Sequence, residues 1–292
     1  MANVKSPAIE ACGLRFEISG KRLVDDVSLA IPAGRMVGIL GPNGAGKSTF
    51  LKLATGELRP TAGRILFDGV PLAQAHPALL ARRRAVVPQS SQLTFSFSAL
   101  EVVTLGASVP GFGLSDDHSR AAEWALDRVG LAHLAARAYT DLSGGERQRV
   151  HIARAMCQLA TAPPSPGETL LLLVDEPTSN LDIGHQRRVL GALREAATEG
   201  AAVLAVLHDI NLAAGYCDTL ALMREGRLIA HGAPDEIVRD DLLSHTYGCA
   251  LDANQTPSRT PFVLPITRDA PEPATPVFTS SARHHASDVS SG

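Results

Sequence analysis

The sequence predicts an α/β fold built on a mainly parallel sheet, with an antiparallel β subdomain at the N-terminus and an inserted helical subdomain. Three observations predict it. Residues 41–49 read Gly-Pro-Asn-Gly-Ala-Gly-Lys-Ser-Thr and satisfy G-x-x-x-x-G-K-[ST], the phosphate-binding P-loop, from Gly41 to Ser48. An apolar run, Met36–Leu40, precedes the loop as a buried strand, and Thr49–Ala54 follows it as a helix. Strands and helices then alternate towards the C-terminus, which implies parallel strands covered on both faces.

The elements follow in order. Residues 8–31 alternate apolar and polar positions around Ser19-Gly20-Lys21, predicting an antiparallel pair, Ile9–Ile18 and Leu23–Ile31. After the P-loop unit, Arg64–Phe67 reads as a short strand ending at the turn Asp68-Gly69. Pro77–Arg84 reads as a helix and Ala85–Val87 as a strand closed by Pro88. From Ser98 to Arg137 the pattern becomes helical, with Ala121–Val129, carrying the single tryptophan Trp124, and Leu131–Ala136 as its clearest segments. A helix is predicted over Glu146–Leu159, a strand over Leu170–Val174, a helix over Gln186–Thr198, and strands over Ala202–Leu207 and Thr219–Met223. Thr161–Glu168 (TAPPSPGE) reads as a proline-rich loop. Residues 251–292, rich in Pro, Ser, Thr and Ala, read as a disordered tail after a single domain spanning 1–250, with the helical insertion at about 98–140. His284 and His285 in that tail lack further ligands and read as solvated side chains.

Bulk properties exclude several classes. The 292 residues are 45% hydrophobic, enough for a sizeable core, and carry a net charge of −3 without a basic block, so nothing points to nucleic acid. The four cysteines, Cys12, Cys157, Cys217 and Cys249, fit neither a zinc site nor a disulfide framework and read as reduced, mostly buried thiols. No N-terminal apolar stretch suggests a signal peptide, and no apolar run approaches the ~20 residues needed to span a bilayer.

The chemistry starts at the loop. Its glycines let the backbone turn N–H groups around phosphate oxygens, and the helix behind adds the positive end of its dipole. Gly41, Pro42, Asn43, Gly44, Ala45, Gly46, Lys47, Ser48 and Thr49 are therefore candidate nucleotide-binding residues. Lys47 can reach the β- and γ-phosphates, and the Ser48 hydroxyl can sit on Mg²⁺. A second constellation, Leu170–Val174 followed by Asp175-Glu176, puts two carboxylates at the carboxyl end of a buried strand, where ligands of open α/β sheets bind. Asp175 is placed to hold Mg²⁺, directly or through water, and Glu176 is a candidate general base for an attacking water. The third, Leu142-Ser143-Gly144-Gly145-Glu146, opens a helix with Ser143 as N-cap and forms a second anion-binding surface. One γ-phosphate does not need two such surfaces, so this one is read as addressing a nucleotide held by another subunit.

GPNGAGKST, LSGGERQR and LLLLVDEPTSNLD together resemble the nucleotide-binding subunit of ATP-binding-cassette (ABC) transporters, from about Ile9 to Tyr247. The resemblance implies further roles. Gln89 resembles the glutamine that senses Mg²⁺ and the transmembrane partner. Ser179, Asn180, Leu181 and Asp182 resemble the D-loop that crosses to the opposite subunit, and His208 the switch histidine at the γ-phosphate. Phe16 stands where the family places an aromatic that stacks on adenine; the alternative is a core strand position. The implied machine is a head-to-tail homodimer with ATP and Mg²⁺ between one subunit's Gly41–Thr49 and the other's Ser143–Glu146. It acts as an ATPase at the cytoplasmic face of the inner membrane, bound peripherally to a permease dimer and served indirectly by a periplasmic substrate-binding protein, with no nucleic acid. Ser90–Val103 resembles importers of haem, cobalamin and ferric siderophores, and the insertion Thr161–Glu168 resembles haemin importers in particular. Haemin is therefore the expected cargo, with ferric siderophore or cobalamin as alternatives. A soluble ABC ATPase acting on DNA or ribosomes is disfavoured by the single cassette without heptads. A non-catalytic module is disfavoured by the presence of Lys47, Glu176 and His208.

Overall fold

The chain begins with a hairpin whose turn is set by two left-handed residues, Ser19 (φ 51°) and Gly20 (φ 76°), the backbone a two-residue hairpin loop requires. Its strands, β1 (Ile9–Ile18) and β2 (Lys21–Ile31), pair antiparallel. The computed structural model describes residues 7–89, 96–107, 116–161, 164–165, 167–256 and 263.

The P-loop unit follows as β3 (Met36–Leu40), wholly buried, and α1 (Lys47–Thr55). Then come β4 (Ala62–Phe67), β5 (Val70–Pro71), α2 (Pro77–Arg83) and β6 (Arg84–Val87). The helical block comprises α3 (Ala99–Thr104) and α4 (Asp116–Arg128), and leads into the long α5 (Gly144–Ala160). The chain continues through β7 (Leu171–Asp175), α6 (Ile183–Thr198), β8 (Ala202–Val206), α7 (Ile210–Tyr216), β9 (Thr219–Arg224), β10 (Arg227–Gly232), α8 (Pro234–Ile237) and α9 (Asp240–Tyr247).

Two sheets result. The small one, ordered β2-β1-β4-β5, is antiparallel; the central one is ordered β10-β9-β3-β8-β7-β6. From β9 to β6 every pairing is parallel, and β10 closes the edge antiparallel to β9. Alternation along the central strands divides the interior. Met36, Leu40, Leu172 and Val174 face the larger core with the helical block, whereas Val37, Ile39, Leu171 and Leu173 face the smaller core with α1 and the hairpin. This is why the central strands read as unbroken apolar runs.

Several expectations shift. The strand expected over Leu170–Val174 runs one residue later, so Asp175 is its last member. Leu131–Ala136 is not a helix but a single 3₁₀ turn, Ala132–Leu134. Gly130 (φ 71°) ends the preceding helix, and the backbone beyond is bonded elsewhere. Leu100 N–H donates to Ala135 O, Ala99 N–H to Arg137 O and Tyr139 N–H to Phe97 O, at 2.8–2.9 Å. Sequence reading did not find β5, β10 or α7–α9. Of the thiols, Cys157 and Cys217 are buried, Cys12 half-buried and Cys249 exposed, so burial holds for two of the four. Burial pushes the Cys157 thiol up to about 11, which keeps it inert. Ser90–Phe95, part of the TAPPSPGE insertion, most of the tail beyond Thr256, and His284 and His285 lie outside the described residues.

Candidate functional site: a phosphate cleft and a separate glycine-rich surface

The strand order explains why distant residues meet. Neighbouring strands β3, β8, β7 and β6 are parallel, so their carboxyl ends share one edge of the sheet. That edge delivers the P-loop after β3, His208 two residues after β8, Asp175-Glu176 at the end of β7, and Gln89 two residues after β6.

The loop is shaped by close approach. A Cβ on Gly41 (φ 148°) would lie 2.1 Å from the Met223 carbonyl oxygen, and one on Gly46 (φ 96°) 2.3 Å from that of Leu23. No side chain caps the N-terminus of α1, where Gly46 is the N-cap. Lys47 is buried, and its Nζ donates to Gly41 O at 2.7 Å and Pro42 O at 3.0 Å, bracing the loop. Burial pulls the ammonium pKa down, while Glu176 and Asp175 oppose that shift.

Asp175 is buried beneath the loop and accepts from Ser48 Oγ at 3.3 Å. Burial raises its carboxyl pKa, Ser48 lowers it and the neighbouring Glu176 raises it further. Glu176 adopts a left-handed backbone (φ 50°), which costs roughly 1–2 kcal/mol for a residue with a Cβ. The conformation is fixed on both sides, since Glu176 N–H donates to Val206 O at 3.1 Å and Ser179 Oγ donates to Glu176 O at 2.9 Å. It turns the carboxylate towards two partners: Oε2 accepts from Gln89 Nε2 at 2.8 Å and Oε1 lies 2.6 Å from His208 Nε2.

These groups border one cleft of about 540 Å³, lined by Asn43–Thr49, Gln89, Glu176 and His208, together with Lys21 and Leu23. Sequence reading missed Lys21 and Leu23; the only signal was the hairpin turn beside them. Phe16 does not line the cleft. It is half-buried opposite Val24 and packs against the smaller core.

The second glycine-rich surface stands apart, and none of Leu142–Glu146 lines the cleft. Ser143 Oγ accepts from Glu146 N–H at 3.3 Å, and Ser143 N–H donates to the Glu146 carboxylate at 2.7 Å, a reciprocal capping box. The bond from the Ser143 backbone holds the Glu146 carboxyl below its usual range. Leu142 is buried, with its carbonyl accepting from Arg147 Nε at 2.8 Å, while Ser143 and Gly144 are exposed. Gly145 packs on the Ser179–Asp182 segment, where its Cβ would meet Leu181 Cδ2 at 2.9 Å. Asp182 caps α6 by accepting from His185 N–H at 2.8 Å, and Asn180 is left-handed (φ 60°) and exposed. The two motifs thus form one continuous patch.

The ABC transporter family model matches residues 24–179. The chain belongs to the ABC transporter family. It is 45% identical over 260 residues to the hemin import ATP-binding protein HmuV of Chelativorans sp., covering 89% of this chain and 98% of that protein. Among solved structures it resembles cbiO1 from Clostridium perfringens, part of the ABC transporter complex cbiONQ, with 30% identity, a TM-score of 0.68, and coverage of 82% and 94%. It also resembles a dimeric ATP-binding cassette in a post-hydrolysis state bound to ADP and Pi, with 26% identity, a TM-score of 0.67, and coverage of 77% and 98%. Within the ABC family assignment, the matched segment takes in the P-loop, the capped surface and the Asp175-Glu176 strand end.

Proposed function

We propose that the chain is the ATP-hydrolysing subunit of an ABC importer that takes up haemin across the cytoplasmic membrane. The observation that carries this reading is the convergence of Lys47, Ser48, Gln89, Glu176 and His208 on one cleft beside a P-loop. The loop N–H groups and Lys47 bind the β- and γ-phosphates. Glu176, oriented by Gln89 and His208, accepts the proton of the attacking water, and His208 faces the γ-phosphate as charge develops. The Ser48 hydroxyl and the Asp175 carboxylate, 3.3 Å apart, with the Gln89 amide beyond, are the hard oxygen ligands that Mg²⁺ prefers. When bound, Mg²⁺ neutralises charge on the phosphate oxygens.

The Ser143–Glu146 surface, too far round to touch the cleft of its own chain, contacts the nucleotide of a second copy, with Ser179–Asp182 at the same junction. ATP is then held between two chains, and its hydrolysis opens them. Residues 1–250 form the single ATP-binding domain, residues 98–140 its helical subdomain, and 251–292 a tail. Among the described residues no helix is long and apolar enough to cross a membrane, so membrane action runs through a partner. The partner is a permease dimer seated near Gln89 at the cytoplasmic face, fed by a periplasmic binding protein. The similarity to hemin import ATP-binding proteins supports haemin as the cargo. Reconstitution with the permease in vesicles tests it: haem-loaded binding protein should stimulate ATP hydrolysis. Stimulation by siderophore-loaded but not haem-loaded protein would overturn the cargo assignment.

A further inference from the structure

The hairpin of β1 and β2 stands at the rim of the cleft, and its register decides which side chains reach the rim. Phe16 lies opposite Val24, but Glu17 lies opposite Arg22 and Ile18 opposite Lys21. The slip leaves Leu23 as the extra residue of a β-bulge. The bulge rests on the phosphate loop, since the Leu23 carbonyl is what a Cβ on Gly46 would strike at 2.3 Å. Lys21 and Leu23 line the cleft. Ile18, directly across from Lys21 and so on the same side of the hairpin, is 57% exposed. Phe16 sits two residues further in, against the core, opposite the fully buried Val24. The aromatic is consumed by packing, and the rim is aliphatic with one cation. Among the described residues, no Phe, Tyr or Trp lines the cleft.

We infer that Ile18, Lys21 and Leu23 form the wall against which the nucleotide base rests, and that the protein therefore binds nucleoside triphosphates with little discrimination between bases. The inference rests on the cleft being a nucleotide site. An aromatic face strengthens base binding by roughly five- to a hundredfold per stacked base, and an aliphatic wall forgoes that. The wall also presents no amide pair to read the edge of a purine. Affinity then comes from the triphosphate, held by the loop and Lys47, which every nucleotide shares.

The test is calorimetric titration of the full chain with ATP, GTP and CTP in the presence of Mg²⁺. The three dissociation constants should agree within about threefold, because none gains from stacking. Ile18→Tyr should tighten ATP and GTP by roughly fivefold or more, with CTP gaining least. Phe16→Leu should lower the melting midpoint while leaving ATP affinity within about twofold. A wild-type preference for ATP over GTP and CTP beyond about twentyfold would overturn the inference. So would a Phe16→Leu variant with an unchanged midpoint and about tenfold weaker ATP binding, which would return the base to Phe16. Failure of all three nucleotides to bind would instead overturn the nucleotide-site reading, and this inference with it.

Discussion

The chain has two glycine-rich helix N-termini, and they are finished differently. At α1 the N-cap is a left-handed glycine with no side-chain cap, and the loop before it is braced by a buried lysine. At α5 the N-terminus is closed by Ser143 and Glu146 bonding each other's backbone. The first leaves its N–H donors for a ligand and borders the cleft; the second satisfies two of its donors, the Ser143 and Glu146 N–H groups, from within and stands exposed outside it. A helix end that caps itself holds its shape without the ligand. It can therefore be offered rigidly to another molecule, whereas the uncapped end gains most from what enters the cleft.

The largest effect expected separates chemistry from binding within the first region. Glu176→Gln removes the proposed proton acceptor but keeps bonding capacity towards Gln89 and His208, so ATP hydrolysis should fall by roughly 10²–10⁴-fold while ATP binding persists. Turnover near the wild-type rate would assign the base elsewhere. Next is a matched pair of alanines. Gly46→Ala puts a Cβ against the Leu23 carbonyl and should weaken ATP binding by an order of magnitude or more in titration. Gly144→Ala meets no atom within 4 Å, so ATP binding and thermal stability should hold while hydrolysis falls. Equal loss of binding in both variants would erase the distinction between the two regions. Ser143→Ala deletes the reciprocal cap and should cost about 1 kcal/mol, read as a melting midpoint lower by roughly 2–4 °C.

The smallest effect concerns Asp175. Its carboxyl pKa is raised above 3.8, chiefly by burial, so the folded state favours the neutral form. That contribution is full below the unfolded value and is lost as pH rises through the folded one, leaving a buried anion as a cost at neutral pH. Asp175→Asn should therefore raise the nucleotide-free melting midpoint slightly at neutral pH, with the gain vanishing in acid. A lower midpoint at neutral pH would contradict that sign.

The P-loop and the strand before Asp175-Glu176 were legible because each leaves few structural options. Glycines at fixed spacing permit the backbone, and a run such as Leu171–Val174 fits a strand buried on both faces. The meeting of Gln89, Glu176 and His208 was only half legible. Each lies at a strand end, but that β6, β7 and β8 are neighbours is a property of the sheet. Leu131–Ala136 misled because its apolar positions serve packing while Ala135 O, with Arg137 and Tyr139 just beyond, bonds to residues 97–100. Lys21 and Leu23 were hidden because a one-residue register slip puts them at the cleft. Nothing local in the sequence separates Phe16 as a core residue from Phe16 as a rim residue.

If the cleft is half of a site, as proposed, and the Ser143–Glu146 surface of a second copy completes it, ATP should join two chains only while that surface is intact. Light scattering on the Glu176→Gln protein with ATP and Mg²⁺ tests it most directly when compared with the Glu176→Gln, Ser143→Arg double variant. The first should be a dimer and the second a monomer that still binds ATP. A dimer that persists with Ser143→Arg would contradict it.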